Sequence, residues 1–236
     1  MTPRERRAVV DSLPDYIPWE ESCMPEGDPH FEPKAEGRET LRTYFERSDR
    51  RLYVSAELPV YYPDEARFSP DLLAVRDVDV HPRKKWVVSD EGKGLDWVLE
   101  IVVSGNRRKD LEENVARYAR LLIPEYFVFD RERRVLRGWV LADPKIGIYR
   151  PIVPQRGVFH SAVLGLDLKL DGDRLRFCQG SAMILMTPAE VILHLEQEVT
   201  DLVVIRENEV ALRNEAEQRA HEAEQQLTRE QQRAHE

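Results

Sequence analysis

The order of apolar and polar positions divides the chain into three textures. Over residues 1–35 the apolar positions follow no period, and Pro3, Pro14, Pro18, Pro25, Pro29 and Pro33 interrupt them. Prolines at that spacing forbid long helices and predict an extended arm. Tyr16, Ile17, Trp19 and Phe31 are the side chains that would pin such an arm to a core.

From residue 36 to 186 the pattern takes on the lengths of helices and strands. Leu41, Tyr44 and Phe45 give 36–48 a helical face. Short apolar runs at 51–55 and 58–62 read as strands, and Pro63-Asp64-Glu65 marks a turn. Ser69-Pro70 opens the next strand, a place where the missing N–H of proline need not break a ladder. Residues 76–96 are polar, with an edge strand over Trp86–Val88. Residues 96–103 are almost continuously apolar, which suits a strand buried on both faces. A charged amphipathic helix follows. Pro124 to Ala142 then reads as a hairpin turning at Asp130–Arg133, with further strands over 146–154, 159–168 and 175–178. One helix before a sheet and one packed after its most apolar strand predict an α/β body with a mixed central sheet.

From Thr187 to Glu236 the chain reads as one long helix. Thr187 is placed to cap it, with Pro188 in the first turn. Val191, Ile192, Leu195, Val199 and Leu202 continue it, and Ala216, Ala220, Ala223 and Leu227 recur at steps of four, three and four. That rhythm is a coiled-coil seam. Alanine buries little area, so a partly solvated single helix and a dimerising coiled coil both stand. A homodimer through this helix is the expected form of the second.

Two of the apolar runs contain a carboxylate. Asp71 opens the 71–75 run and Glu100 sits in the middle of 96–103. An acid in such surroundings is costly to desolvate without a cation, a proton or several donors. Two acids on neighbouring strands form a natural site for a hard divalent metal. Taken alone, Asp71 reads as a strand-entry residue; Glu100 has no such explanation.

The 236 residues carry a net charge of −9, which argues against a broadly basic nucleic-acid face. The C-terminal helix accounts for −7 of it, with 12 acidic and 5 basic residues from Thr187 onward. The body is therefore near neutral, and Arg107, Arg108 and Lys109 form a local basic cluster just after the Glu100 strand. The two cysteines, Cys23 and Cys178, are far apart and read as reduced structural thiols. The six histidines are scattered, so none is assigned to a metal. No apolar run has membrane-span length and the N-terminus lacks a signal-peptide core, so a cytoplasmic location is expected.

The ordered set of Pro70-Asp71, Glu100-Ile101-Val102 with Ser104, Asp110 and Tyr118 on a helix, and Pro124-Glu125-Tyr126 before a strand resembles the Uma-two family of putative restriction endonucleases. That family belongs to the PD-(D/E)xK nuclease superfamily, and the resemblance covers roughly residues 35 to 185. It implies a restriction-endonuclease-like fold over 36–186, between the 1–35 arm and the 187–236 helix. It implies hydrolysis of phosphodiester bonds in DNA with Mg²⁺ or Mn²⁺, held by Asp71, Glu100 and the carbonyl of Ile101. Superfamily members often carry a further acid on the first helix, where Glu36 and Glu39 stand.

The chain departs from the pattern at the lysine. The position two after Glu100 is Val102, and the helix position to which the family commonly moves its lysine is Asn114. Lys109, in the loop leaving the Glu100 strand, is the substitute cation the sequence offers, with Arg108 and Arg117 as others. Asp110, Asn114, Arg117 and Tyr118 share one helix face. With Ser104 and Arg108 they are the expected neighbours of the ion or of the substrate. Asp110 has a second reading, as the start of a capping box with Glu113. The missing lysine leaves an alternative function open: a binding or interaction protein on the same fold with catalysis lost.

Overall fold

The computed structural model describes residues 2–16, 27–103, 107–180 and 183–235. Of the expected arm residues, Ile17, Trp19 and Cys23 lie outside them. The chain divides into two compact units, Met1–Pro188 and Ala189–Glu236.

The first unit is built on a six-stranded sheet in the order β1-β3-β5-β6-β7-β8. The strands are β1 (Leu52–Ala56), β3 (Leu72–Arg76), β5 (Trp97–Val102), β6 (Glu125–Asp130), β7 (Val135–Asp143) and β8 (Ile148–Pro151). β5 and β6 run parallel, and every other pairing in the sheet is antiparallel. The sheet is mixed because the segment 109–120 carries the chain from the end of β5 back to the start of β6, a connection only parallel neighbours need. A separate parallel pair joins β2 (Val60–Tyr61) to β4 (Trp86–Val87), and the short helix α3 (Val88–Glu91) follows β4.

Both faces of the sheet are covered, which is why β5 and β6 are buried at all six positions each. On one face, Leu72, Trp97, Leu99, Ile101 and Phe127 pack with Leu41 and Phe45 of helix α2 (Asp28–Glu46). They also meet Leu164, Leu168 and Phe177 of a second, four-stranded antiparallel sheet. That sheet comprises β9 (Phe159–Ser161), β10 (Leu166–Asp171), β11 (Arg174–Gln179) and β12 (Met183–Ile184), in the order β12-β11-β10-β9. On the other face, Leu73, Val98, Val102 and Val128 pack with Tyr118 and Ile123, beside Trp86. The alternation along β5 sends Ile101 to the α2 face and Glu100 to the opposite one.

The proline-rich segment is not an extended arm where it is described. Helix α1 (Pro3–Ser12) opens with a Thr2–Glu5 capping box and proline in its first turn, and α2 begins at Asp28 rather than at residue 36. Prolines in a first helical turn cost nothing, because the N–H they lack has no intrahelical partner there. Pro33 lies deeper, and its missing N–H would orphan the carbonyl of Pro29. Arg131 donates to that carbonyl at 2.5 Å. The expected pins are not pins: Tyr16 and Phe31 are exposed. The single strand expected over 159–168 is split by a turn at which Gly165 adopts φ +65°, with Arg50 packed where a Cβ would be. The strand expected over 146–154 is shortened to β8.

The second unit is the body of α5 (Pro188–His235), a single helix of 48 residues. Among the described residues no helix is long and apolar enough to cross a membrane.

Glu125 ties the two sheets of the first unit together. Its buried carboxylate accepts from the Ser161 hydroxyl and from the backbone N–H groups of Ala162 (2.8 Å) and Val163 (3.2 Å). The glutamate of the Pro-Glu-Tyr motif is thus a structural anchor for the β9–β10 turn. Glu125→Ala strands two N–H groups in the interior and is expected to lower stability by about 3 kcal/mol. The check is the midpoint of urea unfolding, which falls while the slope is unchanged.

Candidate active site

The β3–β5 ladder stops at the pair Leu72–Leu99. At the next position the strands are joined by side chains. The N–H of Ile101 donates to Asp71 Oδ2 at 2.7 Å, and the N–H of Asp71 donates to Glu100 Oε2 at 3.2 Å. Pro70 precedes Asp71 without an N–H to offer, and its carbonyl accepts from Glu57 just past β1. Asp71 and Glu100 are therefore held side by side at the end of the ladder, as their places in the two apolar runs predict.

The cations come from α2. His30 and Lys34 are one turn apart on the same helix face. His30 Nε2 lies 3.1 Å from Asp71, and Lys34 Nζ lies 3.5 Å from Asp71 Oδ1 and 3.3 Å from His30 Nδ1. Lys34 also donates to Glu57, and its side chain is only 5% exposed against 64% for Glu57. A close approach of helix and sheet makes this reach feasible. Gly37 packs on Leu72, whose Cδ1 would lie 2.9 Å from a Cβ at that position.

The two carboxyl groups are driven apart in acidity. Burial pushes Asp71 up, but the hydrogen bond and charge of His30, the Ile101 N–H and the Lys34 ammonium outweigh it and hold Asp71 below the usual carboxylate range. Glu100 is pushed well above that range by burial first, then by the charges of Asp71 and Asp110. Its hydrogen bonds come from neutral donors, the Asp71 N–H and the Tyr118 hydroxyl at 2.6 Å. Burial and the Glu100 charge raise Tyr118 in turn, which keeps its hydroxyl a donor.

The helix after β5 supplies the wall. Residues Lys109–Glu113 form a π-helical turn that runs into α4 (Asn114–Arg120), a local irregularity frequent at functional sites. Asp110 lies inside this helical stretch, so it is not the N-cap that one reading of Asp110 and Glu113 expected. Asn114 donates to its carboxylate at 3.0 Å, and Tyr126 donates to its carbonyl at 2.8 Å. Tyr118 meets Glu100, as the shared helix face suggests. Arg117 is drawn elsewhere: it pairs with Glu65 at 3.1 Å and lies over the Phe68 ring. Arg107 pairs with Asp130 and Glu132, and Arg108, exposed, pairs with Glu112 at 3.2 Å. Lys109 is exposed at the first residue of the π turn. Ser104 lies outside the described residues.

His30 and Lys34 escaped the sequence reading. Their signal is the spacing of His30, Pro33 and Lys34 in a segment whose prolines sit near a helix start.

Among the described residues no three or more His, Cys, Asp and Glu side chains cluster as a metal cage. The donor set is two carboxylates, with the Ile101 carbonyl adjoining. That set fits a hard divalent ion such as Mg²⁺, which keeps several waters and binds through one or two carboxylates. The upward shift of the Glu100 carboxyl marks the same fit, since burial and the charges of Asp71 and Asp110 leave it short of positive charge.

The sequence profile of the Uma2 family, described as "Putative restriction endonuclease", matches residues 20–171. A solved structure from Anabaena variabilis ATCC 29413, described as a putative nuclease belonging to DUF820, superposes with a TM-score of 0.44 at 13% identity. The match covers 57% of this chain and 75% of that one. A search among curated proteins gives no match.

The raised Glu100 carboxyl has a consequence for stability. Its folded form binds the proton more tightly than the unfolded chain, whose ordinary value is 4.5. That contribution is full below the unfolded value and is lost as pH rises toward the folded one. Glu100→Gln cannot ionise, and the Tyr118 hydroxyl can turn to accept from its amide. The variant is expected to melt above wild type at about pH 8 and to lose that advantage at about pH 5, read by thermal unfolding at both.

Proposed function

The chain belongs to the Uma2 family of putative restriction endonucleases, and from that premise we propose that it is a metal-dependent endonuclease acting on DNA, with Asp71 and Glu100 holding the ion. The observation that carries this reading is the carboxylate pair at the end of the β3–β5 ladder, with the buried Lys34 ammonium 3.5 Å from Asp71. Lys34 is the cation that positions 102 and 114 lack, supplied from the first long helix instead.

Asp71 and Glu100 would hold a divalent ion, which would supply an activated water and neutralise charge on the phosphoryl oxygens. The protein's own groups divide the remaining work. Asp71, held ionised by His30, Lys34 and the Ile101 N–H, is the permanently charged ligand. Glu100, fixed by Tyr118 and the Asp71 N–H, would be the second. Lys34, anchored by Glu57, donates to a phosphate oxygen or to the attacking water. Arg107 and Arg117, engaged by Asp130, Glu132 and Glu65, are not assigned to the substrate. Lys109 and Arg108 are exposed at the rim, Arg108 paired with Glu112, and are candidate contacts to the DNA backbone.

The second reading is a binding protein that has lost catalysis. One observation favours it: Lys34 already bridges Glu57 and Asp71, so part of the charge an ion would supply is in place.

Cleavage of supercoiled plasmid with Mg²⁺, Mn²⁺ or EDTA separates the two. The nuclease reading predicts metal-dependent nicking, abolished in Glu100→Ala. It predicts a fall of about 100-fold or more in Lys34→Met, the scale for losing a positioned charge donor. Folded protein that cuts with neither metal supports the binding reading, and cutting that persists in Glu100→Ala rules out the assigned site.

A further inference from the structure

Helix α5 forms a unit of its own and carries large apolar side chains that are exposed along its first half. Ile192 is 57% exposed, Leu195 52%, Val199 59% and Leu202 63%. These four open a seam that continues, at alternating steps of three and four, through Arg206, Glu209, Arg213, Ala216, Ala220 and Ala223. The first half of the seam is bulky, the second half is alanine, and the middle is charged.

We propose that α5 pairs with the α5 of a second copy of this chain in an antiparallel coiled coil whose two-fold axis passes between Glu207 and Asn208. In that register the layers complement each other. Ile192 meets the partner's Ala223, Leu195 meets the partner's Ala220, and Val199 meets the partner's Ala216, so each layer joins one large and one small side chain. Arg206 meets the partner's Glu209 on both sides of the axis. Leu202 lies against the aliphatic stem of the partner's Arg213.

The flanking positions follow the same symmetry. Val203 and Val210, 49% and 50% exposed, fall opposite one another across the two-fold, as do Ile205 and Leu212 at 54% and 67%. Their apolar character has no use on a solvated single helix. Glu198 falls opposite the partner's Arg219. One flanking contact is unfavourable, Glu196 opposite the partner's Glu217, and Arg213 offsets it by pairing with Glu217 on its own helix at 2.9 Å.

A parallel pair of the same helices fails on charge. It would set Arg206 against Arg206, Glu209 against Glu209 and Arg213 against Arg213 in successive core layers, and like charges in a seam are strongly disfavoured. It would also stack alanine on alanine through the second half. Arg206 and Glu209 take part in no ion pair among the described residues, whereas Arg213 and Arg219 pair with glutamates one turn away. The charges at the proposed centre are those left for a partner.

The inference does not depend on the nuclease reading, and charge exchange in the full-length chain tests it. Wild type, Arg206→Glu, Glu209→Arg and the double variant are compared by light scattering in low-salt buffer at about 10 µM, a concentration at which coiled-coil pairs of this length associate. Both substitutions fall on an exposed helix, so folding is not at stake. The expected masses are twice 27.6 kDa for wild type, 27.6 kDa for each single variant, and twice 27.6 kDa again for the double variant. A monomeric wild type overturns the proposal. So do single variants that remain dimeric, and a double variant that stays monomeric, because only the antiparallel pairing restores opposite charges on exchange.

Discussion

The interaction on which the structure turns is the exchange of hydrogen bonds between Asp71 and the β5 backbone at the point where the β3–β5 ladder ends. Two carboxylates are brought into the interior there, and neither is tolerable alone. The neighbouring elements are arranged to offset them. α2 delivers Lys34 and His30 to Asp71, whose carboxyl they hold below the usual range, and α4 delivers Tyr118 to Glu100, whose carboxyl burial pushes well above it. The close packing of Gly37 on Leu72 and the anchoring of Arg131 on Pro29 serve the same end, since both fix where α2 lies over the sheet. The site is poised rather than neutral: one acid is compensated and the other is left needing positive charge.

Electrostatics also limits how the protein can meet a polyanion. The basic residues after β5 are largely engaged by acids, Arg107 by Asp130 and Glu132 and Arg117 by Glu65. The chain is acidic overall, and most of that charge lies on α5. A nuclease built this way depends on contacts close to the carboxylates rather than on a broad attractive field. On the proposed reading, the local disposition of Lys34, Lys109 and Arg108 sets how a phosphate would be received.

Much of the first unit is legible in the sequence because its strands are short apolar runs bounded by turn residues. The continuous run at 96–103 states its double burial outright, and Glu100 within it points to the site. Legibility fails where a distant residue repairs a local defect. Pro33 looks like a helix breaker until Arg131, far along the chain, satisfies the carbonyl it orphans. Asp110 looks like a cap until the helix is seen to begin before it. Gly165 breaks the 159–168 run because Arg50 occupies the space beside it. Lys34 was hidden for the same reason as Pro33: both lie in a segment whose local pattern denies the helix that tertiary contacts supply.

On the proposed reading, Asp71 and Glu100 together form a hard-cation site. Titration calorimetry with Mn²⁺ in the absence of DNA tests it without any appeal to turnover. One Mn²⁺ is expected to bind per chain, with proton release on binding, and Glu100→Gln is expected to lose at least about tenfold in affinity. Folded protein that binds no Mn²⁺, or that binds it equally well in the variant, would contradict it.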